Sequence, residues 1–160
     1  MLASRRRIER QSRAANESRS KRQTQQVGLM KALVVEDDFT SRLIVQEILR
    51  AHGDIHFAAD GKEALEAVAL SLDEDDPYDL ICMDIMMPEM DGQEALEQIR
   101  ALEKKRGLSL ERQPKIVMIT ALDDVKNVIK SYNNLCDGYL TKPIHKADLL
   151  NLLNEFGLVV

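Results

Sequence analysis

From Lys31 onward the chain alternates short apolar runs with amphipathic patterns, five times over, and that rhythm leaves few folds open. The apolar runs fall near 31–35 (β1), 54–58 (β2), 79–84 (β3), 115–120 (β4) and 137–140 (β5). Helical periodicity falls near 39–51 (α1), 61–72 (α2), 92–105 (α3), 123–133 (α4) and 145–156 (α5). In α1 the pattern places Leu43, Ile44, Ile48 and Leu49 on one stripe and stops at Gly53. In α2 the stripe is Leu65, Val68, Ala69 and Leu72, with Asp60 in position to cap the helix. In α4 it is Val125, Val128, Ile129 and Tyr132, and the stretch from Lys104 to Gln113 reads as a polar loop.

Strict βα alternation implies parallel strands joined by right-handed crossovers, with helices on both faces. Five units of this length predict an α/β, flavodoxin-like (βα)5 fold: a doubly wound five-stranded parallel sheet of order 2-1-3-4-5. A chain of 160 residues, 44% of them apolar, is enough for one such domain with a proper core. It is expected over residues 30–160, with no output domain after α5.

Charge divides the chain. Residues 1–29 hold eight Arg or Lys against two Glu, a net of +6, with few apolar residues and no period. They read as a disordered basic N-terminal extension. Met30 directly precedes β1, so translation starting there would leave 1–29 upstream of the protein proper. A transit peptide or an arm for an anionic partner are the alternatives. Residues 30–160 carry a net of −11, and only 4% of the chain is aromatic, so no nucleic acid is expected on the folded domain. No run reaches the 18 or so apolar residues of a membrane span. Cys82 and Cys136 lack zinc-ligand spacing and read as reduced core thiols of a cytoplasmic protein.

The chemistry gathers at strand ends. β3 delivers a single carboxylate, Asp84, behind a run of core residues, where an ionised group is costly unless satisfied. β1 ends in Glu36-Asp37-Asp38, which alone would pass for a solvated turn. Beside Asp84 those acids form a cluster that repels itself unless a hard cation joins it, and Mg2+ suits an all-oxygen site. His52, His56 and His145 fall at unrelated positions, which disfavours a transition metal. Thr120 ends β4, and Lys142, followed by Pro143, lies just beyond β5 on the edge that faces the carboxylates.

The motifs Val34-Val35-Glu36-Asp37-Asp38, Met83-Asp84-Ile85-Met86-Met87-Pro88-Glu89-Met90-Asp91-Gly92, Ile119-Thr120-Ala121 and Gly138-Tyr139-Leu140-Thr141-Lys142-Pro143 occur in that order, spaced by βα units. Over residues 30–160 the chain resembles a CheY-like, stand-alone response-regulator receiver domain. The resemblance implies a phosphoacceptor signalling protein of a two-component phosphorelay rather than a turnover enzyme. Asp84 would accept the phosphoryl group, and Mg2+ would be held by Asp37, Asp84 and the Met86 backbone carbonyl, with Glu36 acting through water. Lys142 would neutralise charge, Thr120 would donate to a phosphoryl oxygen, and Tyr139 would change rotamer with it. Partners implied are a histidine kinase or histidine phosphotransfer protein as donor and a downstream protein on the α4–β5–α5 face, residues 123–156, with phosphorylation-dependent homodimerisation left open. Met86 and Leu122 would flank the phosphoryl group. Apolar side chains at both positions predict slow loss of phosphate. A receiver that binds without phosphorylation is one alternative. A Mg2+-dependent aspartyl phosphohydrolase is the other, disfavoured because Met86 stands where such an enzyme needs a proton-transferring Asp.

Overall fold

The computed structural model describes residues 29–87, 89–121, 126 and 135–159. Five parallel strands form one sheet: β1 Met30–Val35, β2 Gly53–Ala58, β3 Leu80–Asp84, β4 Lys115–Thr120 and β5 Gly138–Thr141. Their order is β2-β1-β3-β4-β5, as the alternation predicts. The helices are α1 Phe39–Leu49, α2 Gly61–Asp73, α3 Gly92–Lys105 and α5 Lys146–Glu155. Of the expected α4 only Lys126, which is helical, is described, and the stripe lies outside the described residues. Strand and helix ends differ from expectation by one or two residues. The polar stretch after α3 also contains a 3-10 turn at Leu110–Arg112.

Period-two alternation explains the layers. Leu33, Val35, Ile81, Met83, Ile116 and Met118 face one side, where Ala64 and Val68 of α2 and Ala95, Leu96 and Ile99 of α3 cover them. The intervening Ala32, Val34, Leu80, Cys82, Val117 and Ile119 face the other side, under Val45, Ile48 and Leu49 of α1 and Leu149 and Leu153 of α5. Burial of each large side chain contributes about 1.5–3 kcal/mol against chain entropy. Cys82 and Cys136 are buried and form no disulfide, as expected. Burial pushes the Cys82 thiol up to about 12, so it stays protonated and unreactive.

One expected core stripe is corrected. Leu43 is 45% and Ile44 42% exposed, and Val45 takes the inward place with Ile48 and Leu49. Positions 45, 48 and 49 keep the i, i+3, i+4 spacing that faces the sheet, and positions 43 and 44 turn away from it.

Aspartates start the helices that surround the site. Asp38, Asp60 and Asp91 accept hydrogen bonds from Ser41, Glu63 and Glu94 N–H at 2.8, 2.9 and 2.9 Å. Each satisfies a backbone donor that the first helical turn would leave bare. Gly92 is required by a close approach: a Cβ there would run into the Asp84 carbonyl. That contact seats the start of α3 directly behind β3.

An ion cluster sits where β4 and β5 begin. Arg100 donates to Glu103 at 2.9 Å, to Asp137 at 3.0 Å, and to the carbonyls of Leu135 and Pro114 at 2.8 and 3.1 Å. Asp137 in turn accepts from Ile116 N–H at 2.8 Å. Glu103 is fully buried, and burial raises its pKa while Arg100 opposes the rise. These bonds tie α3 to the entrances of both strands.

Candidate functional site

Parallel strands all end at one edge, so the topology alone gathers the chemistry. β1 brings Glu36 and Asp37, β3 brings Asp84, β4 brings Thr120, and the turn after β5 brings Lys142. Glu36, Asp84 and Thr120 are buried, whereas Asp37 is exposed. Carboxylate oxygens of Glu36, Asp37 and Asp84 lie within 4.8 Å of one another. Asp38, the third acid of the run, is spent on capping α1.

Lys142 enters this cluster as its cation. Its Nζ stands 3.1 Å from Asp84 Oδ2 and 3.5 Å from Glu36 Oε2. The Lys142-Pro143 bond is cis. Lys142 N–H donates to the Thr120 carbonyl at 2.9 Å, which locks the turn to β4. Burial works against the ammonium, but Asp84 and Glu36 outweigh it and raise its pKa. On the other carboxylate oxygen, Asp84 Oδ1 accepts from Met86 N–H at 3.2 Å.

The acids remain short of positive charge. Burial, and then the neighbouring Asp84, push Glu36 up to about 7 even with Lys142 close by. Glu36 Oε1 accepts from Asp38 N–H at 3.2 Å, whereas buried Oε2 has no hydrogen-bond partner. Three carboxylates share one lysine, and one buried oxygen among them lacks a hydrogen bond, which fits a hard divalent cation such as Mg2+. Among the described residues no histidine or cysteine joins the cluster.

The remaining expected residues are placed as follows. The Thr120 hydroxyl donates to the Ala121 carbonyl at 3.3 Å. Tyr139 is half-buried, its hydroxyl oxygen enclosed, and burial raises its pKa. The Met86 side chain is 70% exposed, so it borders the site rather than sealing it. Leu122 lies outside the described residues.

A match to the family model described as response regulator receiver domain spans residues 32–154, most of the chain. The chain belongs to the response-regulator receiver family. Receivers are modules of two-component phosphorelay signalling, in a family of phosphoacceptors rather than turnover enzymes. This receiver is 32% identical over 129 residues to the osmosensing histidine protein kinase SLN1 of Saccharomyces cerevisiae, covering 79% of the chain but 10% of the kinase. It is 29% identical over 150 residues to the hybrid signal transduction histidine kinase L of Dictyostelium discoideum, covering 92% of the chain and 8% of the kinase. The chain thus spans about a tenth or less of these relatives. In structure it resembles the receiver domain of the yeast response regulator Ssk1, solved together with the histidine phosphotransfer protein Ypd1. That match has a TM-score of 0.68 at 30% identity and covers 81% of this chain and 90% of the other.

Two features escaped the sequence reading. The Arg100 cluster is one, its only trace being an i, i+3 Arg–Glu pair. The other is an apolar rim where α1 begins. Phe39 and Leu43 stand 64% and 45% exposed on one stripe of α1, with Phe57 of β2 39% exposed nearby. Arg42 lies 5.8 Å from the Phe39 ring and 5.7 Å from the Phe57 ring, bridging the two phenylalanines of α1 and β2. Two of the chain's three phenylalanines are spent here, on the surface.

Proposed function

We propose that this receiver accepts a phosphoryl group on Asp84 from a phosphohistidine donor and passes the signal on through the α4–β5–α5 face. The observation that carries the reading is the placement of Lys142 Nζ 3.1 Å from Asp84 Oδ2, beside the buried Glu36 carboxylate. One Asp84 oxygen attacks phosphorus in line, the phosphorus–nitrogen bond breaks, and its electron pair returns to the donor imidazole, giving an acyl phosphate. Lys142 offsets charge on the transferring oxygens. Mg2+, when held by Asp37, Asp84 and the Met86 carbonyl, with Glu36 through water, supplies further charge neutralisation. Thr120 then turns its hydroxyl from the Ala121 carbonyl to a phosphoryl oxygen, and Tyr139 follows, biasing a two-state face. All of this is assigned to the cytoplasm. Incubation with Mg2+ and acetyl phosphate tests the reading: one stable phosphate on Asp84 is expected. No labelling, or steady release of inorganic phosphate, would overturn it.

A protein donor is favoured over a small one by the apolar rim. Phe39, Leu43 and Phe57 give a docking helix an apolar anchor beside the acceptor edge, and Arg42 gives it a charge. Phe39→Asp and Leu43→Asp are expected to slow transfer from a histidine phosphotransfer protein by about tenfold or more. Labelling by acetyl phosphate should be unchanged, because the small donor touches neither residue. Equal losses with both donors would remove the rim from the donor interface.

The phosphoryl lifetime is set at Met86 and Leu122. Neither side chain can hold an attacking water by a strong hydrogen bond. The double variant Met86→Asn/Leu122→Glu is expected to shed phosphate about tenfold faster. An unchanged or slower decay would contradict that assignment.

A further inference from the structure

Among the described methionines Met86 stands apart. Met30, Met83 and Met118 are buried, and Met87 and Met90 pack partly against the core. Met86 alone is exposed, at 70%. Its thioether therefore meets solvent, although its backbone is held at the acceptor, where the N–H donates to Asp84 Oδ1 at 3.2 Å. An accessible thioether tethered two residues from a phosphoacceptor is a place where oxidation can change signalling chemistry.

We infer that Met86 is a redox-modified site: a peroxide-class oxidant converts it to the sulfoxide, and the sulfoxide shortens the life of the phosphoryl group on Asp84. The lifetime half of this rests on the phosphoacceptor reading above. In the modification, a sulfur lone pair attacks one peroxide oxygen and the oxygen–oxygen bond breaks. The thioether is oxidised, and the peroxide is reduced to water or the corresponding alcohol. The change in chemistry is local. A thioether accepts hydrogen bonds weakly, whereas a sulfoxide oxygen accepts them strongly. Exposed to solvent and carried two residues from Asp84, that oxygen can hold and orient the water that attacks phosphorus. One added hydrogen bond to that water corresponds to a roughly two- to tenfold faster loss of phosphate. Reduction by methionine sulfoxide reductases restores the thioether, so the setting is reversible.

The test treats the full chain with graded hydrogen peroxide and maps oxidation by peptide mass. The protein is then labelled with Mg2+ and acetyl phosphate, and acyl-phosphate decay is followed. Met86 should oxidise before Met87 and Met90, and decay should quicken in step with Met86 sulfoxide and recover after reductase treatment. In Met86→Leu, whatever its own lifetime, peroxide should leave decay unaltered. Oxidation of Met87 or Met90 at the same rate or sooner would overturn the inference. So would a decay that stays the same or slows once Met86 is fully oxidised, or a response that survives in Met86→Leu. Failure of the untreated protein to take up phosphate would instead overturn the phosphoacceptor reading, and the lifetime claim with it.

Discussion

Asp84→Asn is expected to leave a folded protein that takes up no phosphate from any donor. The amide lacks the carboxylate nucleophile, and no neighbouring group is built to replace it. Asp37 is exposed, and Glu36 stands farther from the lysine than Asp84 does, at 3.5 against 3.1 Å from Lys142 Nζ. Lys142→Met should be less complete. Removing the ammonium 3.1 Å from Asp84 Oδ2 is expected to slow phosphorylation by roughly 10²–10³-fold, the usual effect of losing one preorganised charge-stabilising group. Phosphorylation kinetics with acetyl phosphate, alongside circular dichroism to verify folding, measure both. A Lys142→Met protein labelled at the normal rate would show that the lysine holds the fold rather than the reacting group.

The largest expected effect on stability lies far from that edge. Arg100→Leu leaves Glu103 buried without its cation and frees the carbonyls of Leu135 and Pro114. Breaking a buried pair from one side costs about 3–5 kcal/mol, because the stranded charge has no solvent to turn to. The sign with pH follows from Glu103. Burial already raises its folded pKa, and loss of Arg100 raises it further, so the folded state binds the proton more tightly than the unfolded chain does. Such a group stabilises the fold below its ordinary unfolded pKa and loses that contribution as pH rises through the raised one. Urea denaturation should therefore find the deficit of Arg100→Leu largest near neutral pH and smaller in the mildly acidic range. Glu103→Leu added to Arg100→Leu should recover part of the loss and flatten its pH dependence. A deficit equal at both pH values would place its origin in the lost carbonyl contacts instead.

The two regions differ in how far they could be read from residues alone. The site was legible because parallel βα units place every strand's end on one edge. Glu36, Asp37, Asp84 and Lys142 needed only their strand boundaries to be within a residue or two. The strand order followed from the same alternation. Leu43 and Ile44 misled because periodicity in a short helix is shared between a core stripe and a surface rim, and both are apolar here. Arg100 and Glu103 carried no signal. An i, i+3 pair of opposite charges is commonplace on exposed helix faces, and the bonds from Arg100 to Pro114, Leu135 and Asp137, all distant in sequence, set this one apart.

Mass mapping of the protein after incubation with Mg2+ and acetyl phosphate tests the central claim most directly. The expected result is a single phosphoryl group on the peptide carrying Asp84, released by hydroxylamine as an acyl phosphate is, and absent without Mg2+ or in Asp84→Asn. A phosphoryl group on any other residue, or none at all, would contradict it.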